Sequence, residues 1–343
     1  MKIERLNFQF KKNWLKILLG LIFTISSGIF LFKIINDFEL IVDLIISVNK
    51  IIVLGCILVY GGSLFVRTLR WKFILNKKNN IKYLYLLKIL STGYMFNNLL
   101  PARLGEIARI FHFNLRNNLK KSYLLGTILT ERISDVIALI ILLIFGIILI
   151  SEENMKKFQE SIGISSTSIY FIIIICTGLI LIFLTLSSSG YWKLIINNLI
   201  KLKLFRRLNN KFNFKLIVND FLNGAFSVDK GKDLAILIFL ALSVWAVEFS
   251  MFYLLATTIN LGLDSIFIPV LIFGVLSNLS GIIPSTAGGW GPFELVGSLV
   301  LMSFGVNIDV AAAYTIMVHI ILWLPISIIG LILFINDLRY SNK

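Results

Sequence analysis

Cysteine and histidine are scarce: two of each in 343 residues, Cys56, Cys176, His112 and His319. Each cysteine lies inside an apolar run, far from the other, so there is no disulfide framework and both read as packing residues. Two histidines make a His-based metal site improbable. No Gly-rich loop ending in Lys-Ser/Thr occurs, which argues against ATP hydrolysis in this chain. No Ser-His-Asp or Cys-His arrangement stands out. The longest polar connector, about 188–232, is short for a separate catalytic domain. No cofactor and no enzymatic activity are expected. Acidic residues are also few, 18 against 33 Lys and Arg, for a net charge of +15. On a soluble protein that balance would suggest nucleic acid. Here the basic residues fall in loops between apolar runs, where membrane orientation and anionic headgroups account for them better. With no basic folded domain, no nucleic-acid partner is expected.

What is abundant is hydrocarbon. Hydrophobic residues make up 57% of the chain and mean hydropathy is +0.89. The apolar runs are continuous rather than alternating, so the fold class is all-α polytopic membrane protein and not a β-barrel. A basic lead (Lys11, Lys12, Lys16) precedes a run at 15–35 broken only by Lys33. That run is too long for a signal-peptide core and lacks a small-x-small cleavage site, so it reads as a retained first transmembrane helix. Further spans are expected at 51–70, 168–187, 234–257 and 309–336. The run 122–150 is either one tilted helix or a return limb plus a span. Loops are expected at 37–50 and 151–167, and a basic amphipathic surface segment or an ordinary linker over 188–232.

Two further apolar segments, 84–106 and 266–305, are interrupted. The first ends in Asn97-Asn98-Leu99-Leu100-Pro101-Ala102-Arg103-Leu104-Gly105-Glu106, with Arg109 beyond. The second carries Pro284, Gly288-Gly289-Trp290-Gly291-Pro292 and Glu294. An apolar lead-in that stops at a breaker and turns charged marks a helix that enters a bilayer and returns. Paired interruptions in two halves point to a transporter site. The expected architecture is therefore a single membrane domain over 1–343, with about six full transmembrane helices and two re-entrant segments; eight spans is the alternative. Repeat 1 covers 51–150 and repeat 2 covers 234–336, in inverted orientation, with both termini on the cytoplasmic side of the cell membrane.

Charge inside the apolar segments supplies the candidate site. If helical, Arg103, Glu106 and Arg109 share a face. The plainer alternative is a cytoplasmic loop with a local salt bridge. Glu131, Arg132 and Asp135 put two acids and a base on one helix face, which at membrane depth pairs internally or faces water; a capping role at an interfacial helix start is the alternative. Arg132 is expected to meet Glu106 or Asp135, and Arg103 to meet Glu131. Asn97 and Asn98 are expected to bond at the turn beside Pro101 and Gly105, and Gly288, Gly289 and Gly291 to allow a tight turn or an anion nest. Glu248, Glu294 and His319 complete the intramembrane polar set, His319 as a packing residue, a proton relay or a partner of Glu294.

The run Leu100-Pro101-Ala102-Arg103-Leu104-Gly105-Glu106 with Arg109, then Thr130-Glu131-Arg132-Ile133-Ser134-Asp135, then Pro284 through Gly288-Gly289-Trp290-Gly291 to Glu294, resembles the lysylphosphatidylglycerol synthase transmembrane (flippase-like) family. The likeness runs from about Lys16 to Ile335. It implies lipid handling by a stand-alone membrane unit rather than lysyl transfer. The expected role is a lipid flippase or transporter that holds an anionic phospholipid or lipid-linked glycan headgroup between the two re-entrant segments. The alternatives are a membrane enzyme or accessory acting on a lipid-linked substrate, and a structural partner of a separate synthase.

Overall fold

The computed structural model describes residues 21–75, 81–100, 104–114, 119–163, 214–228, 231–281 and 287–341, and scattered positions from 165 to 198. Among these, every regular element is helical: α1 (Leu21–Ile34), α2 (Phe38–Ser47), α3 (Lys50–Leu75), α4 (Tyr83–Leu99), α5 (Leu104–Asn114), α6 (Lys121–Leu149), α7 (Glu152–Ile162), α8 (Phe214–Ala225), α9 (Gly231–Ala256), α10 (Phe267–Ser280), a 3-10 turn at Ala287–Gly289, α11 (Pro292–Ser303) and α12 (Ile308–Ser341). Four of them, α3, α6, α9 and α12, are long and apolar enough to cross a membrane. Much of the run expected at 168–187, part of 15–35, and all but one position of 188–213 of the connector lie outside the described residues.

Several local expectations are corrected. The loop placed at 37–50 is mostly the helix α2, started by Asp37, whose carboxylate accepts the Leu40 N–H. The loop placed at 151–167 is largely α7, capped by Ser151 at its start and by left-handed Gly163 at its end. The span placed at 51–70 continues to Leu75, so Arg67, Arg70 and Trp71 are helix interior and buried, not a solvated basic end. The run 122–150 is one helix, α6. The connector's last turns, α8, do not simply lie on a surface. Gly224 sits where a Cβ would meet the Tyr123 carbonyl at 2.0 Å, and Gly126 where one would meet the Phe221 carbonyl at 2.0 Å. These glycines let α8 and α6 approach backbone to backbone, and Thr130 Oγ1 donates to the Ala225 carbonyl across the contact (2.7 Å).

The packing has one plan used twice. α3 and α9 run antiparallel, Gly55 against Leu254 and Gly62 against Val247. α4 and α5 form a hairpin: Gly105 lies on Gly93 and Asn97, and Arg109 lies on Gly93. α10 and α11 form a second, closed where Gly297 meets Phe273 and Ser277. At 17, 11, 14 and 12 residues, the four limbs reach about 17–26 Å, less than the ~30 Å of a bilayer's hydrocarbon core. Each hairpin is covered by the other half's last long helix. α4 packs on α12, with Gly330 against Ser91 and Met95; α10 packs on α6, with Gly146 against Leu271 and Ile272. The main apolar core gathers α3, α9, α10, α11 and α12 around Phe252, Phe273, Phe304 and Tyr314.

Candidate functional site

Eight charged side chains from four helices meet inside the molecule. α3 gives Arg67 and Arg70, α5 gives Glu106 and Arg109, α6 gives Glu131, Arg132 and Asp135, and α9 gives Glu248. Arg67 grips Glu248 through Nε and Nη2 (3.1 and 2.6 Å) and donates to the Tyr94 hydroxyl (3.1 Å). Arg70 Nη1 bonds Asp135 (2.6 Å), which also accepts Trp245 Nε1 (3.2 Å). Glu131 takes Arg109 on one oxygen and Arg132 on the other, both at 2.8 Å. Arg132 in turn reaches Glu106 at 3.3 Å and Asp135 at 3.5 Å. The guanidinium of Arg109 lies 3.6 Å over the Trp71 ring, and Arg67 sits beside the Tyr94 and Trp245 rings.

Four positive charges face four negative ones, so the cluster is balanced. Burying charge costs several kcal/mol per ion unless it is paired and hydrogen-bonded, and here every member is paired. Its interior is dry: the Glu131 and Arg70 side chains have no exposure. Its most exposed described members are Arg132 at 28% and Glu106 at 21%. Even so, Nε of Arg70 and Arg109 is buried without a hydrogen-bond acceptor, and Nε of Arg132 meets Glu106 only as an ion pair at 3.3 Å.

A second polar group lies in the other half. Glu294 starts α11 with Pro292 in its first turn, and its Oε2 accepts the Gly291 N–H (2.7 Å). Its Oε1 contacts His319 Nδ1 on α12, while His319 Nε2 bonds the Gly288 carbonyl (2.9 Å). Trp290 stacks on the imidazole, centroids 4.3 Å apart. Gly288, Gly289 and Gly291 have φ of 75°, 84° and 97°, values that L side chains rarely adopt. At Gly288 a Cβ would also strike Trp323.

The two interrupted segments touch. Asn98 at the end of α4 donates to the Trp323 carbonyl and to Ser327 (both 3.0 Å), and Trp323 Nε1 donates to the Asn98 carbonyl (3.1 Å). Asn98 therefore bonds α12 rather than its own turn, and Asn97 backs onto Gly105. Pro101, Arg103 and Pro284 lie outside the described residues. Arg132 pairs with both carboxylates expected for it, and with Glu131 besides; Glu131 receives Arg109. In the glycine turn the Gly288 carbonyl accepts from His319 and the Gly291 N–H is taken by Glu294.

The sequence reading missed Arg67, Arg70 and Trp245. Arg67 and Arg70 stand three apart near the end of an apolar run, the usual look of a positive-inside boundary. Unpaired Glu248 in the middle of α9 was the signal that a partner had to exist, and Arg67 is that partner.

The geometry repeats between halves. In each half a glutamate on the second limb of the hairpin pairs with a base on the last long helix, Glu106 of α5 with Arg132 of α6 and Glu294 of α11 with His319 of α12.

Long apolar helices, two broken hairpins and a buried balanced charge cluster define a multi-pass α-helical membrane protein. The chain belongs to the family described as lysylphosphatidylglycerol synthase TM region, whose model matches residues 13–330. It is similar to a UPF0104 membrane protein of Methanocaldococcus jannaschii, 30% identical over 69% of this chain and 92% of the relative. A second UPF0104 membrane protein of that organism is 23% identical over 80% and 81%. One of Pyrococcus horikoshii is 24% identical over 83% and 87%.

Proposed function

We propose that this protein moves an anionic lipid, a phospholipid or lipid-linked glycan, between the leaflets of the cell membrane. The headgroup phosphate enters at the Arg132–Glu106 edge and the acyl chains stay in lipid. The observation that carries this reading is the exposed edge of the cluster, where Arg132 meets Glu106, with the buried Nε groups of Arg109 and Arg70 behind it lacking an acceptor. Buried donors without acceptors are costly and suit an anion that comes and goes. The cluster is already neutral, so an arriving phosphate competes with Glu106 and Glu131 for the same arginines, and binding stays weak enough to release. Glu131 and Asp135 hold the arginines in place.

In this reading the halves form an inverted repeat. The α4–α5 hairpin is re-entrant from the cytoplasmic side and the α10–α11 hairpin from the outer side, with both termini cytoplasmic. The two hairpins meet through Asn98, Trp323 and Gly288. The repeated Glu-to-base pairing supports it. A second reading, a membrane enzyme or accessory for a lipid-linked substrate, draws on Glu106, the most exposed carboxylate of the cluster.

The test is leaflet exchange of fluorescent anionic lipids and glycolipids in proteoliposomes, against empty vesicles. Losing a charge-assisted contact worth about 1.5–3 kcal/mol predicts that Arg132→Gln slows exchange roughly 10- to 100-fold. The variant also takes one counter-charge from buried Glu131 and Asp135, so exchange is compared only at a temperature where thermal unfolding shows both proteins folded. No exchange of any lipid by well-folded protein overturns the reading. A reaction product that depends on Glu106 would establish the enzyme.

A further inference from the structure

We propose that the Glu294–His319 pair is a proton-binding site, and that release of its proton loosens the Gly288–Gly291 turn that leads into α11. The use of that proton, to couple lipid movement to a proton gradient, rests on the transport reading above; the site itself does not.

The argument starts from what each atom can do. The Gly288 carbonyl only accepts, so His319 Nε2 must carry a hydrogen. The other ring nitrogen contacts Glu294 Oε1. Either Nδ1 is protonated against a carboxylate, or it is a lone pair against a protonated carboxyl. Both descriptions place one proton between the two atoms and leave the pair neutral. Removing that proton to water sets a nitrogen lone pair against a carboxylate oxygen. It also leaves one uncompensated negative charge where the side chains are 5% and 6% exposed. Repulsion and burial cost then both favour separation.

Separation has a mechanical consequence. The same imidazole holds the Gly288 carbonyl and stacks on Trp290, and the same carboxylate holds the Gly291 amide. Those three residues form the turn between α10 and α11. The Trp290 carbonyl is also tied to Thr24 of α1 (3.0 Å), and Gly288 rests on Trp323, which is bonded to Asn98 of the first hairpin.

Among the described residues, no other charged side chain is bonded to the pair. α10 carries no titratable group, and α11 only Glu294. Among the titratable groups of the other packed helices, Tyr94 of α4 and Glu248 of α9 are bonded to Arg67 of α3, and Lys88 of α4 to Asp337 of α12. Tyr314 of α12 bonds the Phe252 carbonyl, and Asp309 the amides of Asn36 and Asp37. Lys33 of α1, Glu39 and Asp43 of α2, and Tyr60 and Arg70 of α3 make no bond to either member.

The corresponding pair of the first half is the contrast that matters. There the base is Arg132, which keeps its proton at any physiological pH. The second half pairs its glutamate with a histidine, the side-chain type that serves as a proton switch. One pair is permanently charged and the other is switchable.

The stacked indole gives a direct readout, since protonated imidazole quenches it. Full-length protein in nanodiscs is titrated from about pH 4 to 9, the range that brackets histidine. Trp290 emission is taken as the difference between wild type and Trp290→Phe. The expected result is one titration step that disappears in His319→Gln and is displaced in Glu294→Gln, whose amide oxygen still accepts the Gly291 N–H. No step, or a step unchanged in either variant, overturns the site. In proteoliposomes that exchange lipid, a one-unit pH gradient is expected to shift the steady-state leaflet ratio up to about tenfold at one proton per lipid, and not at all in His319→Gln. Exchange indifferent to the gradient in wild type overturns the coupling while leaving the transport reading intact. A fluorescence step in protein that exchanges no lipid supports the site and removes the transport reading instead.

Discussion

Arg67 and Glu248 show how much a single buried pair contributes. Each is held mainly by the other in a region where the side chains are 7% and 3% exposed. Removing one partner strands a charge, which costs about 3–5 kcal/mol. Glu248→Ala is expected to lower the thermal unfolding temperature sharply in detergent. The double replacement Arg67→Met with Glu248→Leu is expected to recover most of the loss, because the desolvation cost leaves with the charges. A double variant as unstable as the single one would mean that Arg67 acts mainly through Tyr94 and Asp135. The exposed Glu153–Lys157 pair on α7 is the control; Glu153→Ala is expected to leave the transition unmoved. Much of this cluster was legible from residue types: Glu131, Arg132, Asp135 and Glu106 stood out as charges in apolar segments. Arg67 and Arg70 did not, since charge at the end of a hydrophobic run looks the same whether it meets water or folds inward. Only the third dimension separates the two.

The hairpins depend on close backbone approach. A Cβ at Gly105 would lie 2.2 Å from the Gly93 carbonyl and 2.4 Å from the Asn97 amide, both main-chain atoms that cannot step aside. Gly105→Ala is expected to open the α4–α5 hairpin and abolish folding, read as loss of a monodisperse peak on detergent size exclusion. Gly61→Ala, with nothing within 4 Å of the new carbon, is expected to raise stability by up to about 0.5–1 kcal/mol. Equal behaviour of the two variants would contradict the packing described. That each hairpin exists was readable from Pro and Gly interrupting apolar runs. The helices α2 and α7 were hidden because polar content and acid-rich starts were taken as loop chemistry, although Asp37 and Ser151 were capping residues in plain view.

At the scale of the molecule, the proposed inverted repeat assigns sides to surfaces. With Cys56 and Cys176 replaced by alanine, a cysteine at Glu160 on α7 is expected to react with an impermeant thiol reagent added outside intact cells. One at Lys120, before α6, is expected to react only after permeabilisation. The reverse pattern, or equal labelling, would remove the orientation on which the alternating hairpins rest. The two broken segments were visible in the sequence, but the pairing of Glu106 with Arg132 and of Glu294 with His319 was only partly so, because it depends on which helices pack together.

The crossed covering of the hairpins also sets a timetable for biogenesis. α4 ends at Leu99 and its cover, α12, begins at Ile308, 209 residues later (308 − 99). At a translation rate of about 5–20 residues per second, the first hairpin waits roughly 10–40 s for that cover. Through that interval the Asn98 amide, and Lys88 further along the same helix, lack Trp323, Ser327 and Asp337. The second hairpin finds α6 already made when α10 emerges, and its other partner, α12, follows α11 after four residues, 304–307. Insertion factors or quality-control proteases therefore have one defined window in which to act on the first hairpin.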